Sequence, residues 1–177
     1  MNLSPIVSQN FYMASGPIII LALASILSIL QITSKVSQQN SWVFGLQIMA
    51  LLGALGFCYT NTQPSYFLSG GYITDGLSRF GQILILLIGI FITFVFRSSW
   101  MSTLFFRNEI SSLYLIVIMG MLVMVSSVDL ISIFVGLELS SIGIYALVGY
   151  IYPTRTSIEG ALKFFLLGIA ASAIILL

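Results

Sequence analysis

Six apolar runs, separated by short polar breaks, account for most of the chain. They lie near Pro17–Thr33, Trp42–Thr60, Leu77–Phe96, Ile110–Val128, Leu130–Ile151 and Ser157–Leu177. Each is close to the ~20 residues that a helix needs to cross a hydrocarbon core. In lipid, backbone N–H and C=O groups must be satisfied within the segment, so runs of this length read as helices. The pattern predicts an all-α membrane protein with about six transmembrane helices, forming a single domain over residues 1–177.

The polar breaks carry helix punctuation. The four prolines, Pro5, Pro17, Pro64 and Pro153, fall at the ends of runs or between them, so no span is expected to be broken by proline. Pro17 suits a first helical position. Asp129 is placed to cap the fifth helix, and Thr156 with Glu159 makes a capping-box pattern for the sixth. The break between the fourth and fifth runs is so short that these two helices must form a tight antiparallel hairpin. The longest loop is expected at Asn61–Gly76. Small residues in the second run (Gly45, Ala50, Gly53, Ala54, Gly56) and in the sixth (Gly168, Ala170, Ala171, Ser172) predict close helix packing.

Composition narrows the function. Hydrophobic residues make up 59% of the chain and charged residues 6%, which leaves no room for a water-soluble domain. A net charge of +1 argues against nucleic acid. With no histidine and one cysteine, Cys58, the chain offers no histidine-ligated metal, bis-histidine haem, iron–sulfur cluster or internal disulfide. Cys58 reads as a small apolar helix residue. No charged side chain precedes Lys35, so a secretory signal or an arginine-rich transit peptide is not expected. Lys35, Arg97, Arg107 and Arg155 lie at odd-numbered connections and Arg79 on the opposite side. The positive-inside rule therefore puts the odd connections on the cytoplasm-like or matrix side. Trp42 and Trp100 sit near run ends, where an aromatic belt is expected.

Against this background Glu138 stands out, because it lies near the middle of an otherwise uncharged span. An ionisable group at that depth costs about 2.5–3.5 kcal/mol on insertion scales and is usually functional. Ser141 and Tyr145 follow at helical spacing and extend a polar stripe that should face protein or water. The plainer reading is a neutral, hydrogen-bonded acid that packs helices. Lys163 in the next run is the candidate counterpart. It lies roughly 9 Å into its helix and Glu138 about 18 Å from the same end of its own, a mismatch that a long side chain and a water could bridge. The alternative is a lysine that snorkels to the interface and pairs with Glu159 four residues earlier. Asp75 and Arg79 read as an interfacial ion pair at the entry to the third helix, and Arg107 and Glu109 as anchors of the fourth. A glycine-rich phosphate loop, a nucleophile–base pair and a metal-ligand cluster are all lacking.

The strings SSVDLISIFVGLELSSIGIYALVGY (Ser126–Tyr150), SIEGALKFFLLGIAASAIILL (Ser157–Leu177) and TDGLSRFGQILILL (Thr74–Leu87) resemble the antiporter-like subunit 2 family of respiratory complex I, the NADH:ubiquinone oxidoreductase. The resemblance implies a membrane-arm subunit of that enzyme, contributing to proton translocation through Glu138 and Lys163; the residues read above as supporting polar groups are Ser141, Tyr145, Glu159, Asp75 and Arg79. It implies no redox chemistry in this chain, with NADH, FMN, iron–sulfur clusters and ubiquinone held elsewhere. Members of the family have about fourteen helices built as inverted repeats. A separate chain supplying the later helices is therefore expected as a partner, together with other membrane-arm subunits and the bilayer. The expected location is the mitochondrial inner membrane, as an organelle-encoded product, with a bacterial plasma membrane as the alternative. Two other functions compete: a structural scaffold in the same complex, and a subunit of a multisubunit cation/proton antiporter.

Overall fold

The structure, a computed structural model, describes residues 4–33, 40–61, 64–67, 71–98, 108–151 and 155–176. Six helices form in chain order: α1 (Ser4–Thr33), α2 (Asn40–Thr60), α3 (Gly76–Ser98), α4 (Asn108–Ser126), α5 (Leu130–Ile151) and α6 (Arg155–Leu176). Two short strands, β1 (Ser65–Phe67) and β2 (Tyr72–Thr74), lie between α2 and α3. Among the described residues, five of the helices are long and apolar enough to cross a membrane, and Ser15–Leu30 adds a shorter apolar stretch in α1. The architecture is all-α apart from this strand pair, with helices suited by length and composition to a membrane.

One expectation is corrected. Pro17 does not open α1 but lies inside it, thirteen residues after Ser4. The helix continues through the proline because a break in lipid would leave further backbone groups unsatisfied, a larger cost than the one hydrogen bond that Pro17 cannot donate. The loop Asn61–Gly76 holds an antiparallel hairpin with Ser65 opposite Thr74. The hairpin is tied to the α4–α5 turn, where Tyr72 bridges Ser127 and the Val128 amide donates to Gly71 O at 3.0 Å. Lys35, Trp100, Arg107 and Pro153 lie outside the described residues.

Helix α4 is the hub. It packs on α1, α2, α3 and α5, and 56% of its apolar window is buried, against 11% for α5 and 6% for α6. Leu21, Leu51, Leu86, Leu115 and Leu122 are fully buried and form the apolar centre. Two buried glutamines clamp α2, α3 and α4 together on either side of it. Toward the start of α2, Gln47 Nε2 donates to Thr93 Oγ1 at 3.2 Å, and Ser111 Oγ donates to Gln47 Oε1 at 3.1 Å. Toward the other membrane face, Gln82 Nε2 donates to Ser126 Oγ at 2.6 Å and to Tyr72 OH at 3.2 Å, while Cys58 Sγ donates to Gln82 Oε1 at 3.3 Å. Apolar surface drives no association inside lipid, so such interhelical bonds and close packing carry the specificity.

Small residues divide into two kinds. A Cβ on Gly45 or Gly56 would meet nothing within 4 Å, so these glycines are not the packing surface expected of them. Backbone contact occurs instead between α4 and α5. A Cβ on Gly120 would lie 2.5 Å from Ser140 N, and one on Gly136 would lie 2.7 Å from Met124 N. Gly143 is similarly filled by Val117, so Gly136, Ser140 and Gly143 form one face of α5 pressed against α4.

Candidate functional site

With the glycine face of α5 turned to α4, the stripe Glu138–Ser141–Tyr145 lies on the other side of the helix, because two residues advance a helix by about 200°. That side meets α6. Glu138 is half-buried there, and the Ser172 hydroxyl donates to its Oε1. Tyr145 packs its ring edge-on to Phe165 at 6.0 Å, with its hydroxyl against Gly168. Gly149 faces Ala161. These contacts fix an antiparallel register in which each step along α5 is matched by a step back along α6.

The register does not bring Lys163 level with Glu138, the acid it was expected to face through a long side chain and a water. Lys163 lies nine residues before Ser172, about 13 Å along the axis from the level of Glu138. Its side chain is 76% exposed and pairs at 4.0 Å with Glu159, itself 68% exposed. Glu138 is met instead by the Ser172 hydroxyl.

The other expected residues have local roles. Asp75 caps α3: Ser78 N donates to Asp75 Oδ1 at 2.8 Å, and Asp75 N donates to Ser78 Oγ at 2.8 Å. The Ser78 amide, then its hydroxyl, hold the Asp75 carboxyl below its ordinary range. The Arg79 amide donates to Asp75 O at 3.0 Å, a backbone bond of the opening turn of α3. Asp129 caps α5 as expected, with Ser132 N donating to Oδ1 at 3.0 Å, and bonding to Ser132 lowers its pKa. α6 is described from Arg155, so Thr156 already lies in its first turn and Glu159 turns to Lys163 instead of completing a cap. In the hairpin, burial pushes the Tyr72 phenol up to about 12, against the opposing effect of its bonds to Ser126 and Gln82. Arg97 ends α3 with its guanidinium 4.8 Å from the Phe44 ring centroid.

The site is therefore a half-buried carboxylate in the seam between two apolar helices, with a hydroxyl donor on one oxygen and a tyrosine two turns away. The residue that sequence reading missed is Ser172. It was legible only as one small residue among several in the sixth run, with no signal naming it as the contact of Glu138.

Residues 127–177, which contain the whole seam, match the family model described as NADH:quinone oxidoreductase/Mrp antiporter, transmembrane. Along most of its length the chain is similar to NADH-quinone oxidoreductase subunit N of Hydrogenovibrio crunogenus, 29% identical over 171 residues (96% of this chain, 36% of the relative). Subunit N 1 of Solibacter usitatus is 33% identical over 145 residues (80% and 29%), and subunit N of Azoarcus is 31% identical over 175 residues (96% and 35%). The chain spans about a third of the length of the curated relatives it matches. A chain of respiratory complex I from Thermus thermophilus, solved with bound aureothin, superposes with a TM-score of 0.72 at 29% identity, covering 89% of this chain and 34% of that one.

Proposed function

We infer that this chain is part of an antiporter-like membrane-arm subunit of an NADH–quinone oxidoreductase, corresponding to the first third of subunit N, and that it contributes to proton translocation through Glu138. The observation that carries the reading is the placement of this carboxylate: half-buried in the α5–α6 seam, inside the segment that matches the antiporter family model. A lipid-facing apolar helix would avoid the insertion cost of about 2.5–3.5 kcal/mol by carrying no charge at all.

Lys163 is a weak partner in this scheme. Across about 13 Å, at an effective dielectric near 20, two unit charges interact by roughly 1 kcal/mol, before any discount for the exposure of Lys163. That is less than a tenfold bias on any equilibrium. The stronger counter-charge for Glu138 comes from later helices, carried on a separate chain or on further sequence. The two thirds of each relative that the chain does not match support this. NADH, flavin, iron–sulfur clusters and quinone are bound elsewhere in the complex. The relatives described above are bacterial, which favours a bacterial plasma membrane over the mitochondrial inner membrane.

Replacing Glu138 by Gln in the assembled complex tests the reading. Quinone-coupled proton pumping falls while assembly and quinone reduction persist. Unchanged pumping in Glu138→Gln would overturn it.

A further inference from the structure

We propose that Ser172 is a positioning residue for Glu138, holding the carboxyl group in the α5–α6 seam so that it can exchange protons. This rests on the reading of Glu138 as the proton carrier.

Three observations converge on Ser172. Among the described residues of α6 it is the one that is buried, at 7% exposure, on a helix whose Phe164, Leu166, Leu167 and Ile174 are all more than 60% exposed. Its hydroxyl is donated across the seam to Glu138 Oε1 instead of back to its own helix. A serine inside a helix commonly bonds the carbonyl three or four residues earlier. Ser25, Ser28, Ser112 and Ser140 of this chain do so, whereas Ser172, like Ser111, donates to a side chain of another helix. Finally, the Tyr145–Gly168 and Tyr145–Phe165 contacts lie one to two turns along the same seam and fix the register that brings Ser172 level with Glu138.

The chemistry follows from the donor. A hydroxyl bonds to either protonation state of a carboxyl group, as a donor to the carboxylate or to the carbonyl oxygen of the acid. Bonds to a charged acceptor are the stronger kind, and their loss leaves an oxygen buried without that partner. Ser172 thus keeps Oε1 fixed through a protonation cycle and leaves the second oxygen to gain and lose the proton. The proton passes to and from that oxygen, and Ser172 keeps its own.

The test uses the assembled complex in membranes, with infrared difference spectra and proton pumping measured together. The Glu138 carboxyl band is identified as the one lost in Glu138→Gln. In Ser172→Ala that band moves to higher wavenumber, because its C=O no longer accepts the hydroxyl, and pumping drops several-fold with quinone reduction retained. Ser172→Thr keeps the hydroxyl and restores both. If Ser172→Ala impairs assembly, Ser172→Cys, with a weaker donor of similar size, carries the same two readouts. A Glu138 band and a pumping rate unaltered in Ser172→Ala, alongside a defective Glu138→Gln, overturn the positioning role and leave the proton carrier standing. Normal pumping in Glu138→Gln overturns both, so the two failures are distinct.

Discussion

The hydroxyl of Tyr145 fills the space where a Cβ on Gly168 would stand, so α5 and α6 meet at a notch that a glycine keeps open. Tyr145 lies seven residues after Glu138 and Gly168 four before Ser172. A disturbance at the notch therefore travels directly to the carboxylate. Gly168→Ala should push Tyr145 off α6, cost about 1–3 kcal/mol as overpacking does, and weaken the bond between Ser172 and Glu138. Thermal unfolding in detergent, together with proton pumping, reads both effects. Tyr145→Phe should relieve the clash only in part, because the ring carbon that bears the hydroxyl also lies within 3 Å of the added atom.

Glycines of this chain should respond oppositely to the same substitution. Gly136→Ala places a Cβ against the backbone of Met124 and Gly120, which cannot rotate away, and should cost about 1–3 kcal/mol. Gly45→Ala and Gly56→Ala meet nothing within 4 Å and should be neutral or stabilising by up to about 1 kcal/mol through helix propensity. Unfolding midpoints of the three variants, compared side by side, check the contrast. Equal effects would count against the α4–α5 contact described above.

Removing a glutamine clamp should be felt at several helices together. Gln82→Leu removes the amide that bonds the Cys58 thiol, the Tyr72 hydroxyl and the Ser126 hydroxyl, and leaves the bond between Tyr72 and Ser126 in place. An interhelical hydrogen bond in a membrane contributes about 0.6 kcal/mol on average, up to about 1.7. A loss of about 1–3 kcal/mol is therefore expected, with proteolytic susceptibility rising at the β1–β2 hairpin that Tyr72 anchors.

Lys163→Gln should be mild. An exposed (i, i+4) pair contributes about 0.3–0.5 kcal/mol, and its pull on Glu138 is weak at the separation found. Pumping should stay within about twofold of the unmodified protein. A loss as severe as that of Glu138→Gln would instead bring Lys163 into the proton path.

The aqueous caps set the pH dependence of stability. Asp75 and Asp129 both have folded pKa values below the ordinary 3.8, so the stabilisation they give is complete above that value and is lost as pH falls through the folded values beneath it. Tyr72 is the reverse case: raised from 10.0 to about 12, it stabilises fully below pH 10 and loses that contribution as pH climbs toward 12. Melting temperature should accordingly be flat with respect to these groups between about pH 4 and 10 and fall at both ends. Asp75→Asn, which keeps a capping side chain, should flatten the acid limb, and Tyr72→Phe the alkaline one.

Much of this was written along the chain. Apolar run length fixed the helices, because a helix is the only open-ended backbone that lipid accepts. Asp129 is a cap because a carboxylate just before an apolar run has amides to bond, and the α4–α5 hairpin is tight because three residues separate its helices. Glu138, Ser141 and Tyr145 could be placed on one face by spacing alone. What lay beyond the sequence was the identity of the facing partner. Counting depth from the shared loop put Lys163 within reach of Glu138. The packed helices instead slide to the register that lets Tyr145 enter the space at Gly168, and this brings Ser172 level with the carboxylate and leaves Lys163 to Glu159. A one-dimensional pattern specifies which face of a helix is polar. Only side-chain packing between two helices decides how far one is shifted along the other, and that shift selects the partner of the buried acid.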